Sequence, residues 1–592
     1  MPYPVPPPSV NTSWLLENVA QPAVVVSVFT DAPTHKIARP PIAQAQQSDP
    51  NQDRFLQPTV IPQPANSSEP LVQPTPTPEA TPTPQLVTPE AIPTPSTTTV
   101  FIQKIEVKGS TVFGAAELNA ITKPFEGRSL TAAEFNNVAD AITQRYLDQG
   151  YITSRAIPVR PIPRDGKAQI QIIEGSLERI DVEGTKRLNP AYVRSRIQLG
   201  GGPPLNTSKL EDQLRLLRTD PLFANVEASL RAGTQLGKSI LIVRVTEASP
   251  FNGNLSIDNY SPPSVGSERF GINLGYRNVT GNGDAVAATY TRTTTGGAEV
   301  YNFVYQVPLN AMNGTLQLRA EGNRNRITLP PFDVLNIRGE SELYEISYRQ
   351  PIVRSPREEL ALSFGFTAQG GQTFVADQLF GFGPDPSGIT RTRVIKFGQD
   401  YVRRDPQGAW ALRSQFSFGT GWFDATQNPD PIPDGQFFSW LGQMQRVQRL
   451  GDDHLFIAQA DLQLTPDGLL PSQQFVMGGG QSVRGYRQNA RFGDNGFRIS
   501  LEDRITVHRD PSGATILQLA PFVDAGAVWN VGGNPTRLPS QTFLAGAGLG
   551  ILWAPLPQLN VRLDYGVPLV DLSDRGNNAQ DRGFYFSVNY QL

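Results

Sequence analysis

The chain has no cysteine, only three histidines and four methionines. The first absence excludes thiol catalysis, a disulfide frame and cysteine-ligated metal, and it suits an oxidising compartment where stray thiols are a hazard. His35, His454 and His508 are far apart in sequence. None has the linked nucleophile or carboxylate cluster that a hydrolase or a metal site requires, so no catalytic residue, cofactor or metal ligand is expected. Basic residues are not in excess: the formal charge is −3 with 18% charged residues, which offers no field for nucleic acid. No run of eighteen apolar residues occurs, so no helix is expected to span a bilayer. The best apolar stretch, Ala23 to Phe29, is short and has polar neighbours.

What the chain has in quantity is turn-formers, with 53 glycines and 53 prolines among 592 residues, a length that suggests three or four structural units. Residues 1–45 hold an A-x-A site at Ala43-Gln44-Ala45 but no basic start, and are read as an atypical signal or a differently begun N-terminal segment. Residues 46–99 are rich in Pro, Thr, Gln and Ser, as in Gln73-Pro74-Thr75-Pro76-Thr77-Pro78. Such a stretch cannot bury a core and is expected to be a disordered, polyproline-like linker.

From Val100 the pattern is β-α-α-β-β, over residues 100–175, and it repeats over 176–248. In the first copy the strands are expected at Phe101 to Val107, Tyr151 to Ala156 and Ala168 to Ile173. Thr131 caps a helix with apolar positions Phe135, Val138, Ile142 and Tyr146 that stops at Gly150. Each copy is expected to be a small α+β module. Gly233-Thr234-Gln235-Leu236-Gly237-Lys238-Ser239 has the look of a phosphate loop, but its glycine spacing is one residue short and it joins two strands. It is read as a hairpin turn.

Residues 249–592 have another texture. Phe270, Ile272, Leu274 and Tyr276 alternate with Gly271, Asn273, Gly275 and Arg277, and Leu360, Leu362, Phe364 and Phe366 alternate with small residues. The chain ends on Phe584, Phe586, Val588, Tyr590 and Leu592 against Tyr585, Ser587, Asn589 and Gln591. One apolar face and one polar or glycine face, in segments of about ten residues, is the pattern of a transmembrane barrel strand. Roughly sixteen such segments fit the roughly 345 residues available, and an even, closed count leaves no edge in hydrocarbon.

Two motifs stand within this region. Gly478-Gly479-Gly480 leads into Val483-Arg484-Gly485-Tyr486, in a loop of some thirty residues between apolar-alternating segments; Phe522-Val523-Asp524-Ala525-Gly526 follows about forty residues on. Loops of that length usually have a function. Together with Gly150-Tyr151-Ile152-Thr153-Ser154-Arg155-Ala156, Ile172-Ile173-Glu174-Gly175, Gly493-Asp494-Asn495-Gly496 and Leu501-Glu502, these motifs resemble the hemolysin secretion/activation proteins, transporters of two-partner secretion.

The resemblance covers roughly Val100 to Leu592. It implies a mainly β fold, a 16-stranded antiparallel transmembrane β-barrel preceded by two periplasmic α+β polypeptide-transport-associated (POTRA) domains. It implies that the loop residues Gly479, Gly480, Val483, Arg484, Gly485 and Tyr486 fold into the lumen, where Arg484 reaches Asp524, flanked by Phe522 and Gly526, on the wall. It implies that the C-terminal series Phe584, Phe586, Val588, Tyr590 and Leu592 is read by the barrel-assembly machinery. The expected function is export of one large unfolded, β-rich partner across the outer membrane. The expected partners are that client and outer-membrane lipid, with no nucleic acid, and the protein is expected to act as a monomer. Some relatives begin with a pore-plugging helix, for which Asn11 to Phe29 is a weak match. An insertase or import channel of the same superfamily is the alternative; those relatives usually carry more receiving domains and a phenylalanine where Tyr486 stands.

Overall fold

The computed structural model describes residues 99–330, 332–381 and 387–592, and the backbone of Gln73–Pro74. The readings of 1–45, of the plug segment Asn11 to Phe29 and of nearly all of the linker 46–99 lie outside the described residues. Gln73–Pro74 pairs in parallel with Ser229–Leu230 at a sheet edge, a position that tolerates proline because its missing N–H breaks no inner ladder. The described chain divides into two compact units, 99–218 with 225–247, and 219–224 with 248–592.

The smaller unit holds both α+β modules. In the first, Lys104–Lys108 runs parallel to Lys167–Ile173, which pairs antiparallel with Arg155–Pro158. Helix Ala132–Asp148 begins in a capping box, Thr131 with Glu134, and buries Phe135, Val138, Ala139, Ile142 and Tyr146, spaced to form one stripe. The strand expected from Tyr151 starts four residues later. Gly150 has φ 82° and the Tyr151 N–H returns to Tyr146 O at 2.9 Å, so Tyr151 completes the helix end and packs its ring on Tyr146.

The second module repeats the plan, with Ser176–Glu183 parallel to Lys238–Glu247, Phe223–Ala232 beside the latter, and helices Pro190–Gln198 and Thr207–Arg218. The glycine-lysine segment is the hairpin turn expected, closed by Gly233 N–H to Lys238 O at 2.8 Å. The modules join where helix Ala132–Asp148 ends: the carbonyls at Gln149 and Gly150 accept from Asn206 Nδ2, Thr207 N and Thr207 Oγ1 at 3.0 Å. The start of one helix thereby satisfies orphan groups at the end of another.

The repeat preserves a device. Gly109 and Gly184, at φ 88° and 89°, turn the chain out of the first strand of each module. The amides that follow are gathered by one carboxylate: Glu174 accepts from Thr111 and Val112 at 2.6 and 3.2 Å, and Glu247 accepts from Lys186, Arg187 and Leu188 at 2.7–2.9 Å. Burial pushes both carboxyls up. The hydrogen bonds outweigh it, aided at Glu174 by Tyr146 OH, and hold both below the usual carboxylate range.

The larger unit is a closed antiparallel barrel of 16 strands. Closure is made by Phe251–Asp258, which pairs with Arg269–Arg277 on one side and Phe584–Gln591 on the other, Leu255 opposite Tyr590 and Ile257 opposite Val588. Side chains alternate as the period of two requires: Phe270, Ile272, Leu274 and Tyr276 stand outward and Asn302, Gln443, Gln445 and Asp461 point inward and are buried. The strands are longer than expected. Arg338–Arg354, Glu358–Val375 and Ile389–Asp405 run 17 or 18 residues against the 9–11 that cross hydrocarbon. Their ends carry charged outward residues such as Arg338 and Glu340, so these ladders continue past the apolar band.

Candidate functional site: an arginine loop inside the barrel

Residues 465–494 join the strands His454–Leu464 and Asn495–Arg509. Within the expected loop of some thirty residues the segment carries its own hairpin, Phe475–Met477 against Arg491–Gly493. Order comes from packing. Phe475, Met477, Val483 and Tyr486 bury with Val528 and Leu544 of the wall. The base of the loop is tied by Asp494, whose carboxylate accepts from Leu469 N, Val531 N, Gln474 Nε2 and Asn534 Nδ2 at 2.7–3.1 Å.

The glycines are used in two ways. Gly478, Gly479 and Gly485 lie at φ 103°, 109° and 103°, a region other residues rarely adopt. Gly480 does not; there a Cβ would press on the Tyr260 and Tyr585 rings at 2.6 and 2.9 Å, so it is needed for close approach. On the wall, a Cβ at Gly526 would meet Phe497 O at 2.7 Å and Met477 Sδ at 2.9 Å, and a Cβ at Gly546 would overlap Arg484 O.

Arg484 sits at the tip, 4% exposed. Its Nε and Nη2 fork onto the two oxygens of Asp524 at 2.6 and 2.8 Å, and its own amide donates to Asp524 Oδ2 at 3.0 Å. The guanidinium carbon lies 3.4 Å from the centre of the Phe522 ring, a cation–π contact. Nη1 donates to Glu502 Oε2 at 2.7 Å and lies 3.7 Å from Asp564 Oδ1. Arg562 bridges Glu502 and Asp564 at 2.7 and 2.6 Å, and Arg504 Nε donates to Glu502 Oε1 at 2.8 Å. Three guanidiniums (Arg484, Arg504, Arg562) thus face three carboxylates (Glu502, Asp524, Asp564), a neutral cage closed around the loop tip.

Further contacts fix the rest of the tetrad. Tyr486 OH donates to Ala545 O at 2.7 Å and accepts from Val570 N–H at 3.1 Å, a pairing that phenylalanine could not make. Tyr585 OH donates to Tyr486 O at 2.6 Å and accepts from Gly485 N–H at 2.9 Å. Arg487 forks onto Asp581 at 2.8 and 2.9 Å, and Arg498 pairs with Asp461 and donates to Gln481 O.

Gly479, Gly480, Val483, Arg484, Gly485 and Tyr486 therefore lie together with Phe522, Asp524 and Gly526. Phe584, Phe586, Val588, Tyr590 and Leu592 lie elsewhere, on the outward face of the last strand, with Tyr585 and Ser587 turned in. Sequence reasoning missed Ser500, whose hydroxyl donates to Asp524 Oδ1 at 2.6 Å and accepts from Arg484 Nη2 at 3.3 Å, together with Arg504, Arg562 and Asp564, and Glu502 as a member of the cage. The available signal was charge at alternate positions on the non-apolar face of a strand, Arg498-x-Ser500-x-Glu502-x-Arg504 and Arg562-x-Asp564.

A closed barrel that is apolar outward, has an arginine loop latched inside it and follows two α+β modules defines an outer-membrane pore for protein transport. The chain belongs to the haemolysin secretion/activation protein family ShlB/FhaC/HecB, whose model matches residues 237–552; a ShlB-type POTRA domain matches residues 100–175. Its members are the outer-membrane transporters of two-partner secretion. The chain is 22% identical over 403 residues to the outer membrane transporter CdiB of Dickeya dadantii, covering 67% of this chain and 70% of that one. It is 23% identical over 417 residues to the hemolysin transporter protein ShlB of Serratia marcescens, covering 67% and 71%. Among solved structures, CdiB from Escherichia coli shares the fold with a TM-score of 0.67 at 21% identity, over 86% of this chain and 93% of that one.

Proposed function

We propose that the protein receives one large, β-rich client unfolded in the periplasm, through its two modules (residues 100–175 and 176–248), and passes it through the barrel (249–592) as a monomer. The modules leave sheet edges to which an extended peptide can add as a strand without sequence-specific contacts. The C-terminal series Phe584 to Leu592 serves insertion by the barrel-assembly machinery. No catalytic step is required.

The observation that carries this reading is the caged loop. Its tip is held by a bidentate, desolvated ion pair whose rupture strands buried charge. The loop therefore stays on the wall, and the client passes beside it. The inner face suits an extended chain because it is polar: Asn302, Asn323, Gln443 and Gln445 point inward.

Deleting the gene tests the reading. Loss of a single large secreted protein, with other outer-membrane barrels at their normal level, is the expected result. General depletion of barrels would overturn it in favour of an insertase.

A further inference from the structure

The outer wall carries a feature that client transport does not use. Across the strands Ala285–Thr293, Ala298–Pro308, Thr315–Arg326 and Arg338–Arg354, outward positions fall into register. One row reads Tyr290, Tyr301, Gly322, Glu342 and the next Ala288, Phe303, Ala320, Tyr344. Small residues thus form a floor between aromatic walls, and a bowl of about 500 Å³ opens there on the outward face. A Cβ at Gly322 would meet nothing within 4 Å, so that glycine is not required by packing of the protein itself. The Tyr290 and Tyr301 rings stand 5.0 Å apart as one wall.

Immediately above the bowl, towards the loops 294–297 and 327–337, the outward row becomes charged. Its carboxylates are engaged. Glu299 takes Arg292 at 3.1 Å and Tyr301 OH at 3.3 Å, Glu340 takes Arg338 at 3.1 Å, and Glu342 takes Tyr344 OH at 3.2 Å. Arg324 and Arg326 point outward and exposed. Arg324 stands between Glu299 and Glu340 in the ladders and Arg326 opposite Arg338. Those carboxylates pair with Arg292 and Arg338, which leaves both guanidiniums without an ion pair among the described residues. This end of the strands is opposite the one at which the chain enters the barrel at Phe251.

We propose that this face binds one outer-leaflet lipid, its acyl chain in the bowl and a phosphate of its head group on Arg324 and Arg326. The occupant is a lipid because the bowl is lined and flanked by outward apolar residues, Ile272, Leu274, Leu318 and Ile346, which face hydrocarbon. Its head group is anionic because two unpaired guanidiniums at a membrane boundary draw their partner from the membrane, and arginine matches phosphate bidentately. Gly322, Arg324 and Arg326 are successive outward positions of one strand, so a molecule seated on the floor of the bowl reaches both guanidiniums.

Native mass spectrometry of the full chain in an uncharged detergent tests this with two probes of identical chains, dioleoyl phosphatidic acid and dioleoyl phosphatidylcholine. The expected result is one retained phosphatidic acid, bound roughly thirtyfold more tightly than phosphatidylcholine. Arg324→Gln with Arg326→Gln should erase that preference, and Gly322→Leu should weaken both lipids, while heat-modifiable gel migration shows each barrel folded. Equal binding of the two probes, unchanged binding by the folded variants, or a protein dimer that excludes lipid from this face overturns the proposal.

Discussion

Asp524 is wholly buried, and Arg484 beside it nearly so; neither charge has water to return to. The cage answers this by balance: two wall arginines and two further carboxylates bring the sum to zero around the loop tip. Arg562 makes no contact with Arg484, yet it holds Glu502 and Asp564 facing it. Arg562→Gln is therefore expected to loosen the loop, read as faster proteolysis of residues 465–494 in the folded barrel, whereas a surface arginine such as Arg509 changed to Gln leaves it unaltered. Arg484→Lys is not a conservative change, because an ammonium cannot reproduce the fork on Asp524. Replacing Arg484 by Met strands a buried charge, at a cost of about 3–5 kcal/mol.

At the scale of elements, the wall is shaped for the loop. A Cβ on Gly546 overlaps Arg484 O, so Gly546→Ala should displace the tip and cost about 1–3 kcal/mol in unfolding free energy. Gly370→Ala, where a Cβ meets nothing, is the matched control. In the modules, Glu174 and Glu247 have depressed folded-state pKa values, so their stabilisation is full above the unfolded carboxylate range, about pH 4.3, and is lost as pH falls through the folded values. Amide exchange in the full chain should show protection at Thr111, Val112 and 186–188 falling on acidification below that range. Glu174→Gln and Glu247→Gln should each flatten the response at their own turn.

The same scale explains what could be read in advance. Period-two alternation marked the barrel strands, because facing lipid and facing the lumen impose opposite chemistry on neighbouring residues. The tetrad and Asp524 were legible because each sits in a short motif whose glycines and charge stand out from apolar surroundings. Arg562 and Asp564 were not, since their relation to Glu502 arises only when the curve of the barrel turns strands some sixty residues apart, with two others between them, toward the same loop tip. The hairpin inside the thirty-residue loop, Phe475–Met477 with Arg491–Gly493, was not legible because it is stabilised by the wall and not by its own sequence. The start of the third element of the first module slipped for a similar reason: Tyr151 carries strand propensity but is captured by the helix it follows.

For the whole molecule, closure at Phe251–Asp258 removes the sheet edge, the outward face meets lipid, and the inner face is polar. The loop latched to the wall of that interior links the residue scale to secretion, and its ion pair is the point at which the account is most exposed. The direct measurement is the amount of client in the medium, at matched barrel levels, for the native chain, Arg484→Met, Asp524→Leu and the double variant. Each single change unbalances the cage and should reduce secretion strongly. The double variant restores neutrality and should secrete no less than the worse single variant. Losses that multiply in the double variant, or wild-type secretion by either single one, would contradict the claim that Arg484 and Asp524 act as one latch.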